Sequence, residues 1–347
     1  MGKVLKIGLI GCGRLGRLHA ENIHNSVSEA EIVLAADLFM NDDMAAWANS
    51  AGIPETTNDP DKLIASEKVE AVFIWSSANT HSEYIIKAAE AGKDIFCEKP
   101  IHTDIPGIQA ALTAVEKAGV KLQIGFNRRF DPSHRKVHEA VASGELGRPY
   151  VVKITSRDSI GPTMEYVKNS GGLFFDMMIH DFDMARYVIG SDIEEVNVIG
   201  AVLTDQRYAD YDDIDTAIVT MKFANGALGV ADGCRTAPYG YDQRVEVHCK
   251  EGCVQDTNIL NHTAVISTSE GVISSKPKWF FLERYTQAFI DEEKAFVDSV
   301  LHDTEIQVTG YDGLVSVKAA IAAGISLREG RPVKLSEITA SAGIGNN

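Results

Sequence analysis

Hydrophobic positions in the first part of the chain follow two alternating rhythms. Dense apolar runs, rich in Val, Ile and Ala, occur at 4–10 (Val4-Leu5-Lys6-Ile7-Gly8-Leu9-Ile10), 32–36, 69–75, 94–97 and 121–125. Such runs read as strands covered on both faces. Between them, apolar residues spaced three and four apart predict helices near 14–25, 41–50, 80–91 and 105–118. Pro60 opens a further short helix, its preset φ suiting a first helical turn, and Thr80 is placed to cap the helix that follows it. Strand and helix in strict alternation predict a doubly wound parallel sheet, whose ligands bind beyond the carboxyl ends of the strands. Three loops fall there: Gly11–Gly16, Ser76–His81 and Glu98–Pro100.

Past residue 125 the pattern changes. Helices are predicted near 132–143, 174–189, 283–301 and 311–328, and strands near 150–154, 193–203, 214–223, 227–234, 243–249 and 263–267. Asn225-Gly226 between two of these strands is a tight-turn signal. Consecutive strands joined by short turns predict a mainly antiparallel sheet. The expected division is therefore an α/β nucleotide domain at 1–125 and a second α/β domain at 126–347, with a frayed tail at 340–347.

The loop after the first strand reads Gly11-Cys12-Gly13-Arg14-Leu15-Gly16 and opens a helix; the next strand ends on Asp37, 21 residues after Gly16. Gly11 permits a tight turn, Gly13 lets backbone approach a pyrophosphate, and Gly16 lets helix and strand pack closely. The helix start offers free N–H groups to phosphate oxygens. Asp37 suits a ribose 2′-hydroxyl and would repel a 2′-phosphate, and residues 38–41 supply no base to hold one. The Rossmann fingerprint, taken whole, predicts NAD as cofactor.

The formal net charge of −16 excludes the basic footprint of a nucleic-acid binder. No apolar run approaches the roughly 18–20 residues of a membrane span, and the early first strand predicts no signal peptide. Five cysteines, mostly within predicted strands, point to reduced thiols and a cytoplasmic location. Cys249 and Cys253 lack a second ligand pair, so no metal is expected there.

Two clusters carry candidate chemistry. Lys99 of Glu98-Lys99-Pro100 sits at a strand mouth, where an ammonium can hydrogen-bond a substrate oxygen and stabilise its changing charge. The proline confines the lysine to extended backbone. In Asp176-Met177-Met178-Ile179-His180-Asp181-Phe182-Asp183, Asp176 and His180 lie four apart and share one face of a continuous helix. An imidazole suits proton transfer near neutral pH, and the aspartate could orient it. The same residues also fit a buried structural histidine, a helix cap or a metal ligand pair, the last without a third ligand at suggestive spacing.

The glycine fingerprint, Glu98-Lys99-Pro100, and Gly171-Gly172-Leu173-Phe174-Phe175-Asp176 leading into Ile179-His180-Asp181-Phe182-Asp183 together resemble the family of glucose–fructose oxidoreductase and inositol dehydrogenases, Gfo/Idh/MocA. The segments 125–131 and 279–285 (Trp279-Phe280-Phe281-Leu282-Glu283-Arg284-Tyr285) resemble its inositol dehydrogenase branch. The resemblance implies NAD-dependent oxidation of a ring hydroxyl of a cyclic polyol, myo-inositol first, to the ketone. It implies Lys99, Asp176 and His180 as catalytic residues. Ser76, Asn79, His81, Glu98 and Lys99 then join Gly11, Cys12, Gly13, Arg14, Leu15, Gly16 and Asp37 in holding the cofactor. Arg128, Asp158 and Tyr241 face the polyol beside the catalytic three, with Tyr239 a rival to Tyr241. Asp158 stands where one branch is expected to have Asn, which leaves the isomer open. A homotetramer built on the open sheet is the implied assembly. Scyllo-inositol or a pyranose is the alternative substrate, and a non-catalytic NAD-binding regulator is the alternative of another class.

Overall fold

The computed structural model describes residues 2–339, so the expected frayed tail lies outside the described residues. The first half runs β1 (Leu5–Ile10), α1 (Arg14–Ser26), β2 (Ala30–Ala36), α2 (Asp42–Ser50), β3 (Thr56–Thr57), α3 (Pro60–Ile64), β4 (Ala71–Ile74), α4 (His81–Glu90), β5 (Asp94–Glu98), α5 (Ile105–Ala118) and β6 (Leu122–Gly125). These six strands form one parallel sheet in the order β3-β2-β1-β4-β5-β6. The order reverses at β1, with β2 on one side and β4 on the other, so their carboxyl ends open a crevice there.

Alternation along each strand feeds two cores. Phe73 and Phe96 point to one face, with Leu5, Ile7 and Leu9; Val72, Ile74, Ile95 and Cys97 point to the other. Both faces are covered, which is why apolar residues hold most positions of these strands and no polar–apolar alternation marks them.

The second half continues with α6 (Pro132–Ala142), β7 (Pro149–Arg157), α7 (Met164–Ser170), α8 (Gly172–Asp176), α9 (Ile179–Ile189), β8 (Ile193–Ala201), β9 (Thr216–Phe223), β10 (Leu228–Cys234), β11 (Asp242–Cys249) and β12 (Cys253–Gln255). It closes with β13 (Val265–Thr268), β14 (Gly271–Ser274), α10 (Phe281–Arg284), α11 (Thr286–Leu301), α12 (Gly310–Glu329) and β15 (Val333–Lys334). Seven strands form a sheet ordered β12-β11-β7-β10-β9-β8-β15, antiparallel except for the β7–β10 pair. Helices α6, α9 and α12 pack on one face. The other face presents Ile199, Ile218, Lys222, Leu228 and Arg244 to solvent.

Several predicted elements need correction. The helix expected at 174–189 is two helices, α8 and α9, separated by a turn at Met177–Met178. The helix expected at 283–301 breaks at Tyr285. The strand expected at 263–267 belongs to an exposed hairpin, β13–β14, outside the large sheet. Thr80 occupies the N-cap of α4 but makes no side-chain cap; its hydroxyl bonds the Ser77 carbonyl and the Ser76 hydroxyl instead. Finally, α11 returns to the first sheet, placing Phe296 and Val297 in the core with Phe73 and Phe96.

Candidate active site

The turn after β1 is shaped by close contacts on two sides and open space on the third. Gly11 has φ +100°, and a Cβ there would sit 2.5 Å from the Trp75 carbonyl oxygen. A Cβ on Gly16 would lie 1.9 Å from the Gly11 carbonyl oxygen. On Gly13, by contrast, a Cβ would meet nothing within 4 Å, and Gly13 caps α1 without a side-chain hydrogen bond. The exposed helix start therefore keeps its N–H groups available to an anion. Asp37 follows β2; its Oδ2 accepts the Cys12 N–H at 2.8 Å and its Oδ1 the Phe39 N–H at 2.9 Å. This ties the acid to the rim of the glycine turn, where a ribose diol would lie. Leu15 is half-buried, and burial, with Asp37 nearby, pushes the Cys12 thiol up to about 12. Arg14 is exposed, its guanidinium 5.8 and 5.9 Å from the rings of Phe280 and Phe281. Open cradle, free N–H groups and a positioned carboxylate fit a dinucleotide.

The other two loops are laced together by His81. Its buried ring places Nδ1 2.7 Å from the Pro100 carbonyl oxygen and Nε2 3.0 Å from that of Ser76. Burial lowers its pKa, so one nitrogen donates while the other lies against the second carbonyl, and the ring joins the loops behind the site. Asn79 is exposed on the single 3-10 turn 78–80. Glu98 points away from solvent into a buried group with His19, Glu292 and Glu293. His19 Nδ1 is 2.6 Å from Glu293 and Nε2 3.4 Å from Glu98, and its ring stacks on Trp75. Burial disfavours the imidazolium of His19, but the two carboxylates outweigh it and raise the ring to about 9. Burial, reinforced by Glu98 and Glu293, drives Glu292 well above the ordinary carboxyl range.

Lys99, with a cis bond to Pro100, is half-buried; its Nζ donates to the main-chain carbonyl of Asp176 at 2.7 Å. Burial lowers its pKa, against the pull of Asp176 and Glu98. One hydrogen bond thus joins the end of β5 to the end of α8. The break at Met177–Met178 means that Asp176 and His180 do not stack on one helix, and no hydrogen bond joins them among the described residues. The Asp176 carboxylate is engaged elsewhere: Oδ1 accepts the Tyr166 hydroxyl at 2.8 Å, and Oδ2 accepts Arg235 Nη1 at 2.8 Å. The His180 ring lies edge-on to Phe126, with a buried Nδ1 that has no hydrogen-bond partner. Burial, then the charges of Lys99 and Arg128, hold its pKa well below the usual imidazole value. His180 is therefore neutral near pH 7, the form that accepts a proton.

Around this pair, Arg128 is buried and donates to Asp181 at 2.7 Å and to Ser156 at 3.4 Å, its guanidinium 5.8 Å from the Tyr285 ring. Asp158 is half-buried and titrates near 7, because burial and Asp176 raise it while Arg128 and Arg235 oppose them. Tyr241 is buried edge-on to Tyr285, 6.0 Å away, with Arg128 and Asp158 as electrostatic neighbours. Tyr239 faces outward and binds Asp242 and Arg157, so Tyr241 is the tyrosine turned to the cluster. Tyr166, Asp181, Arg235 and Tyr285 also join the cluster, with no role for them apparent in the sequence. Asp181 and Tyr285 lie inside quoted motifs, whereas Tyr166 and Arg235 sit in stretches without any local signal.

A crevice at the switch point of a parallel sheet, with an NAD-shaped turn and a lysine and a neutral histidine near its mouth, defines a nicotinamide-dependent oxidoreductase. Residues 5–126 match the model of an oxidoreductase family with an NAD-binding Rossmann fold, and residues 134–255 match the GFO/IDH/MocA C-terminal domain. A myo-inositol 2-dehydrogenase of Thermotoga maritima is 42% identical over 334 residues, covering 96% of this chain and 99% of that protein. A probable dehydrogenase from Thermotoga maritima superimposes with a TM-score of 0.94 at 42% identity, covering 96% of this chain and 100% of that one. A scyllo-inositol dehydrogenase from Lactobacillus casei, solved with NAD(H) and scyllo-inositol, gives 0.89 at 31% identity, covering 96% and 100%. The chain belongs to the GFO/IDH/MocA oxidoreductase family, and NAD is its cofactor. Among the described residues no helix is long and apolar enough to cross a membrane.

Proposed function

We propose that this oxidoreductase removes hydrogen from a ring carbon of a cyclic polyol, converting myo-inositol to its 2-ketone (scyllo-inosose). The single observation that carries the reading is the Lys99–Asp176 hydrogen bond of 2.7 Å, which brings an ammonium from the first half beside the neutral His180 of the second. Bound NAD supplies the hydride acceptor, nicotinamide C4. Lys99 donates to the reacting hydroxyl and stabilises its oxygen as the carbonyl forms. His180 accepts the hydroxyl proton on a ring nitrogen. Asp176 holds Lys99 through its main-chain carbonyl rather than by steering the imidazole, since its carboxylate is committed to Tyr166 and Arg235.

Arg128, Asp158 and Tyr241 select among the remaining hydroxyls. A buried donor or acceptor left unpaired by the wrong isomer penalises that isomer strongly. The relatives named for inositols support the substrate class. The open face of the seven-stranded sheet suits assembly into a homotetramer, and the free cysteines suit a cytoplasmic setting.

The test is NADH formation by purified protein with NAD and a panel of myo-inositol, scyllo-inositol and glucose. Myo-inositol giving the highest kcat/KM, with Lys99→Ala folded but slowed at least about 100-fold, supports the reading. Preference for scyllo-inositol or glucose corrects the substrate. NAD binding without turnover of any polyol identifies a regulator instead.

A further inference from the structure

Helix α8 is five residues long, and the end of it carries the acceptor for Lys99. One helical turn has too few internal hydrogen bonds to hold its own position. Anchors from three other segments supply what it lacks. Arg235, just after β10, is fully buried; its Nη1 donates to Asp176 Oδ2 at 2.8 Å and its Nη2 lies 3.3 Å from Asp213 Oδ2. Asp213 Oδ1 in turn accepts the Leu173 N–H at 2.9 Å, at the start of α8. Tyr166 of α7 holds the opposite oxygen of Asp176 at 2.8 Å. The ring of Tyr208 lies 5.5 Å from the Arg235 guanidinium. The short helix is thus pinned at both ends through one planar cation.

Stability alone is a weak reason for such an arrangement, because a buried ion triad is often no more stabilising than apolar packing of the same volume. What it does provide is aim. A planar guanidinium that reaches one carboxylate through Nη1 and another through Nη2 fixes the spacing between them, which a single ammonium reproduces only in part.

We propose that Arg235 is a positioning residue of the reaction: it sets Asp176, through Asp176 the direction of the Lys99 ammonium, and Tyr166 completes the clamp. This rests on the dehydrogenase reading above. Arg235 also bears on the electrostatics of the site, since its charge opposes the burial that raises Asp158. The other charged groups acting on Asp158 are Asp176, Arg128 and Asp181, and Lys99 and Tyr241 adjoin it.

The experiment compares Arg235→Gln, Arg235→Lys and Tyr166→Phe with the wild-type enzyme, using NAD, myo-inositol and NADH absorbance across a pH series. NAD affinity and circular dichroism serve as fold controls. Wild-type turnover is read first; if no inositol is oxidised, the dehydrogenase reading falls and this proposal with it. With an active wild type, Arg235→Gln lowers kcat about 100-fold, the scale of a misaimed catalytic group, while KM for NAD stays within twofold. Where the ionisation of Asp158 sets an acid limb in the wild-type profile, that limb moves to higher pH once the Arg235 charge is gone. Arg235→Lys recovers part of kcat and returns the limb toward wild type. Tyr166→Phe, which loses one hydrogen bond to a charged acceptor, lowers kcat about tenfold. A folded Arg235→Gln with wild-type kcat and pH profile overturns the proposal, as does a loss confined to thermal stability. Should Arg235→Gln not fold, the other two variants decide: kcat within twofold of wild type in both overturns it, and graded losses support it.

Discussion

Alanine at Gly13 and at Gly16 separates the two jobs of the nucleotide turn. At Gly16 the new Cβ would sit 1.9 Å from the Gly11 carbonyl oxygen, against a lower limit of 3.0 Å for real Cβ contacts. The oxygen belongs to backbone and the Cβ is fixed rigidly to it, so helix α1 must slide away from the turn by about 1 Å. Overpacking of this kind destabilises by about 1–3 kcal/mol. At Gly13 the same methyl meets nothing within 4 Å, and φ of −72° accepts alanine, so stability changes by less than about 1 kcal/mol. The methyl does, however, fill the approach to the free helix N–H groups. A hydrogen bond to a charged group contributes about 1.5–3 kcal/mol, so losing one weakens NAD about 10- to 150-fold at 1.4 kcal/mol per decade. Calorimetric titration with NAD and a thermal melt of each apoprotein read both quantities. Gly13→Ala should melt like wild type and bind NAD poorly, whereas Gly16→Ala should lose on both counts. Wild-type NAD affinity in Gly13→Ala would refute the placement of the pyrophosphate.

Three further outcomes follow from charge. Asp158 titrates near 7 in the fold against 3.8 ordinarily, so its ionisation opposes folding as pH rises from 4 through 7. Asp158→Asn should therefore melt above wild type at pH 8 and equal to it near pH 4, and should erase any acid limb near pH 7 in kcat/KM. His19 has the opposite linkage: raised from 6.5 to about 9, its charge stabilises the fold fully below 6.5 and is lost as pH rises through 9. The melting gap between wild type and His19→Gln should be wide at pH 6 and closed at pH 10. Asp37→Ala should weaken NAD about tenfold or more and narrow its advantage over NADP, measured as the ratio of the two kcat/KM values.

Patterns carried by adjacent residues were legible in the chain, and those made by distant ones were not. The parallel sheet announced itself because buried strands leave uninterrupted apolar runs such as Ala71–Ile74. The glycine turn and Asp37 were equally plain, since their geometry is fixed within a single βαβ unit. The Asp176–His180 spacing misled because four residues apart implies one helical face only while the helix continues, and Met177–Met178 interrupts it. Nothing in the apolar pattern marks that turn, for Met177, Met178 and Ile179 are all buried. Arg235 was invisible for a different reason. Its partners, Asp176 and Asp213, lie 59 and 22 positions away and meet it only in the folded chain. Tyr241 and Tyr239 could be told apart only once β11 fixed the register, turning one tyrosine to Arg128 and the other to Asp242.

The proposed chemistry requires Lys99 and His180 to serve the same oxygen atom. A structure of the enzyme with NAD and myo-inositol measures this directly. Lys99 Nζ and a ring nitrogen of His180 should both lie about 2.6–3.2 Å from one ring hydroxyl, on the carbon facing nicotinamide C4. An inositol bound with that hydroxyl out of reach of either group would contradict it.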